Sequence, residues 1–247
     1  MTSQAGMVGL VLVGTEILTG KVDERNLVPL ARSCARAGYE LARVIIVHDH
    51  IGAIAAAVQQ LSIECAVVVT SGGVGPTHDD VTVDAVAFAQ GVGVYVEPAL
   101  HDMLLRAGVH PYAAERTARV PVGAALLCSE NSPWPLVRSG NVFLFPGVPA
   151  AFVRKIPVFE AALPRRPVLC LVELYFMLEE TEIVQALDET VLMYADVRIG
   201  SYPVWDEATY RTRLTFEHVD QCRAASASEA LLLRLSVSQR VARVLRS

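Results

Sequence analysis

Apolar positions recur along this chain in two successive patterns. Over residues 1–150, short unbroken apolar runs alternate with segments of helical period. The run VGLVLVG (8–14) ends in glycine and has the character of a strand buried on both faces. ELARVIIV (40–47) reads as the next strand and CAVVVTS (65–71) as a third. Between and after them the pattern predicts helices over 26–37, closed by Gly38, over 52–62 and over 77–89. Strands separated by single helices imply right-handed crossovers and a mostly parallel sheet, an α/β fold of three layers, α/β/α. In such sheets ligands sit beyond the carboxyl ends of the strands. The stretches GTE (14–16), VHDH (47–50) and SGGVGPTHDD (71–80) all fall there.

The second pattern follows NVFLFPGVPAAF (141–152) and the proline-bearing LPRRP (163–167). VLCLVELYFML (168–178) reads as a strand, TEIVQALDETVLMY (181–194) as a helix, and VRIGSYPV (197–204) and YRTRLTFEHV (210–219) as two more strands. A final helix is expected over 224–246. This βαββα order is an incomplete split β-α-β layer, a small α+β subdomain. The domains are therefore expected at 1–165 and 166–247.

Composition narrows the partners. Of 247 residues, 53% are hydrophobic and 19% charged, which provides for a substantial core and argues against disorder. No apolar run reaches the ~18–20 residues of a membrane span. The opening MTSQAG has no basic lead into an apolar stretch, so no secretion signal is expected. The net charge of −5 is scattered, unlike the basic stripe of a nucleic-acid surface. Basic residues in LLLRLSVSQRVARVLRS (231–247) read as the solvated face of the last helix. The five cysteines (34, 65, 128, 170 and 222) form no C-x-x-C pair, so reduced thiols in a cytoplasmic protein are the expectation.

Candidate chemistry concentrates at the strand ends. In SGGVGPTHDD, the backbone amides of Ser71, Gly72, Gly73, Gly75 and Thr77, with a helix starting near Pro76, would cradle a phosphate. Asp79 and Asp80 gain from the helix dipole even without a ligand, so a well-capped turn explains part of the pattern. Neither a P-loop nor a G-x-G-x-x-G fingerprint is present. GTEILTGKVDERN (14–26) places Gly14, Glu16, Asp23 and Asn26 after the first strand; Asp23 or Asn26 reads equally well as a helix N-cap. Asp49 likewise reads as an N-cap or as a site carboxylate, and His48 and His50 lack a third metal ligand. His78 is the histidine nearest the cradle, either a donor or acid or a solvated loop residue. Pro146 and Gly147, in FLFPGVPA (143–150), end a further strand on the same edge, and Pro149 suits a helix N1 position. Tyr202 and Trp205 are available to stack on a flat ring or to pack internally. The absence of G-x-S-x-G leaves a serine hydrolase without an anchor.

GTEILTG with its following Asp and Asn, TSGGVGPTHDD with DAVA, and LFPGVPA together resemble the molybdopterin-binding (MoaB/Mog-type) domain family. Within it they are most similar to the N-terminal domain of eukaryotic FAD synthases and to CinA-type proteins, and GSYPVW (200–205) extends the likeness to span about residues 7–215. FAD synthases and CinA proteins usually read G-D-E where this chain has Gly14-Thr15-Glu16. The resemblance implies a pocket for a phosphorylated flat-ring ligand. It also implies cleavage of nucleotide diphosphates, FAD to FMN and AMP or else ADP-ribose, with divalent cobalt or magnesium and potassium. Asp80 and Asp49 match the family's acidic positions. Together with Glu16 they would hold the metal, with His78 assisting the leaving phosphate. The alternatives are a non-catalytic module holding molybdopterin or a nucleotide, and a molybdopterin adenylyltransferase. No adenylyl-transferring domain of an FAD synthase is recognised, so a separate FMN adenylyltransferase is an expected partner. A homo-oligomer is also expected from the likeness.

Overall fold

The strand Met7–Val13 (β1) is buried at six of its seven positions, as its unbroken apolar run requires. It lies between β2 (Glu40–Val47) and β3 (Val67–Ser71) and runs parallel to both. Helices α1 (Thr15–Leu18), α2 (Leu27–Arg36) and α3 (Ile51–Glu64) occupy the connections. The computed structural model describes residues 6–129, 132–205, 209–235 and 241–246. The chain divides into two compact units, Met1–Arg166 and Pro167–Ser247.

The rest of the first unit runs α4 (Thr82–Gln90), β4 (Val94–Val96), α5 (Pro98–Arg106), α6 (Pro111–Thr117), β5 (Arg119–Pro121), β6 (Ala125–Ser129), β7 (Ser132–Ser139), β8 (Val142–Phe145) and α7 (Pro149–Ala162). The six-stranded sheet has the order β2-β1-β3-β8-β7-β6. Strands β1, β2, β3 and β8 are mutually parallel; at one side β7 pairs antiparallel with β8, and β6 antiparallel with β7. One face packs on α2 and α7 through Leu30, Cys34, Phe152 and Phe159, the other on α3 and α4 through Ile54, Val58, Leu61 and Val86. This is the three-layer α/β/α fold with a mostly parallel sheet that the alternation of runs predicts. The elements from β4 to β7 have three to nine residues, too few for a period to show, and the hydropathy pattern assigns none of them.

Three local expectations change. Helix α4 begins at Thr82 rather than near residue 77, because the Asp80 carboxylate folds back onto the amide (2.8 Å) and hydroxyl (2.5 Å) of Thr77 and closes a turn first. Asn26 occupies the N-cap position of α2, yet the capping acceptor is the Glu24 carboxylate, which takes the amides of Asn26 and Leu27. The residue before α3 is His50, not Asp49; the Asp49 Oδ2 atom accepts instead from the Thr15 amide at 2.8 Å, across two strand ends.

The second unit runs β9 (Cys170–Phe176), α8 (Glu180–Met193), β10 (Arg198–Pro203), β11 (Thr212–His218), α9 (Gln221–Leu235) and β12 (Val241–Arg246). Its sheet order is β10-β11-β9-β12, antiparallel throughout. Val172, Leu174, Phe176, Leu214 and Phe216 form its core with Ile183, Ala224, Ala227 and Leu231. The helix expected over 224–246 stops at Leu235, and residues 241–246 pair with β9. Without that pairing the polar backbone of β9 would stand as an open edge, and satisfying it outweighs the helical spacing of the arginines. The layer is thus a completed double split β-α-β unit rather than an incomplete one. Residues 236–240 lie outside the described residues. Among the described residues no helix is long and apolar enough to cross a membrane.

Candidate functional site

A cavity of about 520 Å³ opens in the first unit beyond the carboxyl ends of β1, β3 and β8. Of the residues singled out in the sequence, Glu16, Asn26, Asp49, Ser71, Gly72 and Gly73 line it, as do Gly75, Asp80, Pro146 and Gly147. Gly14, Thr77 and His78 are not among its lining residues. The His78 side chain is 97% exposed and lies 3.8 Å from Asp79.

The glycines of the loop are first required by the protein itself. Gly72 has a φ of 104°, and a Cβ there would stand 2.3 Å from the carbonyl oxygen of Val13. A Cβ on Gly73 would meet the Thr82 hydroxyl at 2.3 Å, and one on Gly75 the Asp80 carboxylate at 2.6 Å. The loop carbonyls are consumed from outside. Gly72 O accepts from the Thr82 hydroxyl (2.8 Å) and Gly73 O from the Thr82 amide (2.9 Å). Among the described residues, the amides of Gly73, Val74 and Gly75 donate to no protein acceptor. These are three successive N–H groups on residues that line the cavity, and none of them belongs to a helix N-terminus. The Thr77 amide, expected to share in it, is spent on Asp80.

Asn26 ties this edge together. Its Nδ2 donates to Ser71 Oγ (2.9 Å) and to the Gly147 carbonyl (2.8 Å), bridging the start of α2 to the ends of β3 and β8. Because a carbonyl can only accept, the amide orientation is fixed. The buried Oδ1 makes no hydrogen bond. Glu16 lies back over Gly14, where a Cβ would come within 2.7 Å of its carboxylate. The Asp79 carboxyl is held below the ordinary carboxylate range, chiefly by the Thr77 hydroxyl that donates to it at 2.6 Å.

Apolar side chains also line the cavity, among them Val83, Leu100, Leu104, Trp134, Val137 and Leu144. Two cations stand in the lining as well. Arg119 forks onto Asp84, and Lys155, 6% exposed, donates to the Trp134 carbonyl. Burial pulls the Lys155 ammonium down to about 8, against an opposing pull from the nearby Cys128. Neither residue carries a sequence signal, since Lys155 sits inside an ordinary amphipathic helix and Arg119 on a three-residue strand. Tyr202 and Trp205 belong to the second unit, where the Arg213 guanidinium lies 4.7 Å over the Tyr202 ring and Trp205 is exposed. Among the described residues, no three His, Cys, Asp or Glu side chains are gathered closely enough to hold a metal ion by themselves.

With this geometry agrees the comparison with known families. Residues 9–165 match the family described as "Probable molybdopterin binding domain", and the chain belongs to it. Residues 168–243 match the family described as "FAD synthase, middle domain". Among curated relatives, a protein of Archaeoglobus fulgidus is 30% identical over 78% of this chain and 84% of its own length. A probable FAD synthase of Caenorhabditis elegans is 29% identical over 84% of this chain, which spans only 46% of that protein. Among solved structures, the protein CinA of Thermoplasma acidophilum superposes with a TM-score of 0.59 at 25% identity, covering 66% of this chain and all of that one.

Proposed function

We propose that the first unit binds a phosphorylated, flat-ring nucleotide and hydrolyses its diphosphate, with FAD as the first-choice substrate and ADP-ribose as the second. The observation that carries this reading is the row of unpartnered amides at Gly73, Val74 and Gly75, on residues lining a cavity that is otherwise largely apolar. The amides suit diphosphate oxygens and the apolar lining suits a ring. Membership of a molybdopterin-binding family and likeness to a probable FAD synthase support the same class of ligand.

A divalent ion, magnesium or cobalt, fits only in part. The carboxylates do not gather into a protein-only site. Magnesium, however, is commonly bound by one or two carboxylates together with substrate phosphate oxygens, and Asp80, Asp49 and Glu16, which all line the cavity, would supply them. When bound, such an ion neutralises phosphate charge and activates water. The chain's own residues do the remaining work. The amides hold the diphosphate, the Asn26 bridge keeps the strand ends apart at a fixed spacing, and the apolar lining excludes water from the ring. His78 is given no role.

Purified protein is expected to release FMN and AMP from FAD when magnesium or cobalt is added. Asp80→Asn keeps an acceptor for the Thr77 amide but loses the charge, and turnover is expected to fall at least about tenfold. Wild-type turnover in that variant would overturn the catalytic assignment. A second reading, a module that holds molybdopterin or a nucleotide without chemistry, is favoured by the lack of a three-ligand group among the described residues. Calorimetric binding of FAD with no product formed would select it.

A further inference from the structure

We infer that Arg116, on α6 and outside every motif of the sequence, is the positioning residue that turns the glycine-rich loop into an anion site. Its Nε donates to the Pro76 carbonyl at 2.6 Å and its Nη2 to the Thr77 carbonyl at 2.9 Å. One planar guanidinium thus captures two successive carbonyls, a task for which the fork of arginine is suited and the single ammonium of lysine is not. The Tyr112 ring, one turn earlier on α6, lies 6.0 Å from the guanidinium carbon and steadies it.

The consequence follows from the peptide unit. In a trans peptide the C=O of one residue and the N–H of the next point in opposite directions, so the carbonyls of Gly72 and Gly73, taken by Thr82, turn the amides of Gly73 and Val74 the other way. Arg116 takes the carbonyls of Pro76 and Thr77, whose peptide units carry the amides of Thr77 and His78, so its part is to fix the far end of the loop, as Thr82 fixes the start. Between these two anchors stand the free amides of Gly73, Val74 and Gly75. Arg116 itself does not line the cavity, so it acts through the loop and not on a ligand. Removing it leaves two adjacent carbonyls without their donor and unties the far end of a segment whose glycines give it wide backbone freedom.

The anion part of this inference rests on the reading of the cavity as a diphosphate site, and the experiment separates the two. Amide resonances of Gly73, Val74 and Gly75 are followed by NMR in wild type, Arg116→Ala, Arg116→Lys and Glu115→Ala, the last an exposed control on the same helix. Wild type and the control are expected to show order parameters near about 0.85, and Arg116→Ala values below about 0.6. Titration with inorganic pyrophosphate is expected to shift these three amides. Its affinity should fall on the order of 10–100-fold in Arg116→Ala, recover only partly in Arg116→Lys, and recover on adding low-millimolar guanidinium. Unchanged order parameters in Arg116→Ala would overturn the positioning role. A wild-type loop that is ordered but indifferent to pyrophosphate would overturn the diphosphate reading while leaving the ordering by Arg116 standing.

Discussion

Gly72→Ala is expected to destabilise the first unit by roughly 3–5 kcal/mol, the size reserved for strain and overpacking at a special backbone site. Two independent costs combine there. The φ of 104° lies outside what an L side chain tolerates, and the new methyl would sit 2.3 Å from the Val13 carbonyl oxygen, a backbone atom of the central strand. Relief requires β1 and β3 to separate, and the Gly72 amide donates to Phe145 O at 3.1 Å, so β8 would be disturbed as well. Gly91→Ala is the matched control. It also has a positive φ (67°), at the end of α4, but nothing lies within 4 Å of a Cβ there, and the expected cost is about 1 kcal/mol. Urea unfolding of the two variants checks the difference. Equal costs would show that backbone conformation alone, without the close approach of the strands, sets the requirement for glycine at position 72.

That contrast also explains what the sequence could and could not convey. The parallel core was legible because β1, β3 and β8 are buried on both faces and carry short apolar runs, β3 turning polar only at Thr70 and Ser71. The glycine-rich string marked the right edge of the sheet, but not its own workings. Asp79 and Asp80 carry the composition of a first helical turn, whereas in space Asp80 closes a turn on Thr77 and α4 starts two residues later. Asn26 looked like a cap because caps are local; its actual partners, Ser71 and Gly147, are 45 and 121 residues away. Arg116, Arg119 and Lys155 come from segments with ordinary local patterns, and only tertiary placement gives them meaning. At the end of the chain, Val241–Arg246 has a spacing of arginines that suits a helix, and the open edge of β9 decides otherwise.

Lys155 carries the second large expectation, a stability that rises with pH between about 8 and 10.5. Burial in the cavity wall lowers its folded value to about 8 from an ordinary 10.5, so in that interval the unfolded chain binds the proton and the folded chain does not. Unfolding free energy therefore increases with pH across the interval and is insensitive to this group below it. At ~1.4 kcal/mol per pH unit, the gain is bounded at about 3 kcal/mol. Cys34 works in the opposite sense. Burial pushes its thiol up to about 12 from 9.0, so above pH 9 the unfolded chain loses a proton that the folded chain keeps, and stability falls. The total curve mixes the two, and the difference between wild type and Lys155→Met isolates the lysine. That difference is expected to be flat up to pH 8 and then to shift in favour of wild type as pH approaches 10.5. A difference independent of pH over that range would mean that the ammonium is solvated, and with it the cavity wall on which the apolar half of the ligand site depends.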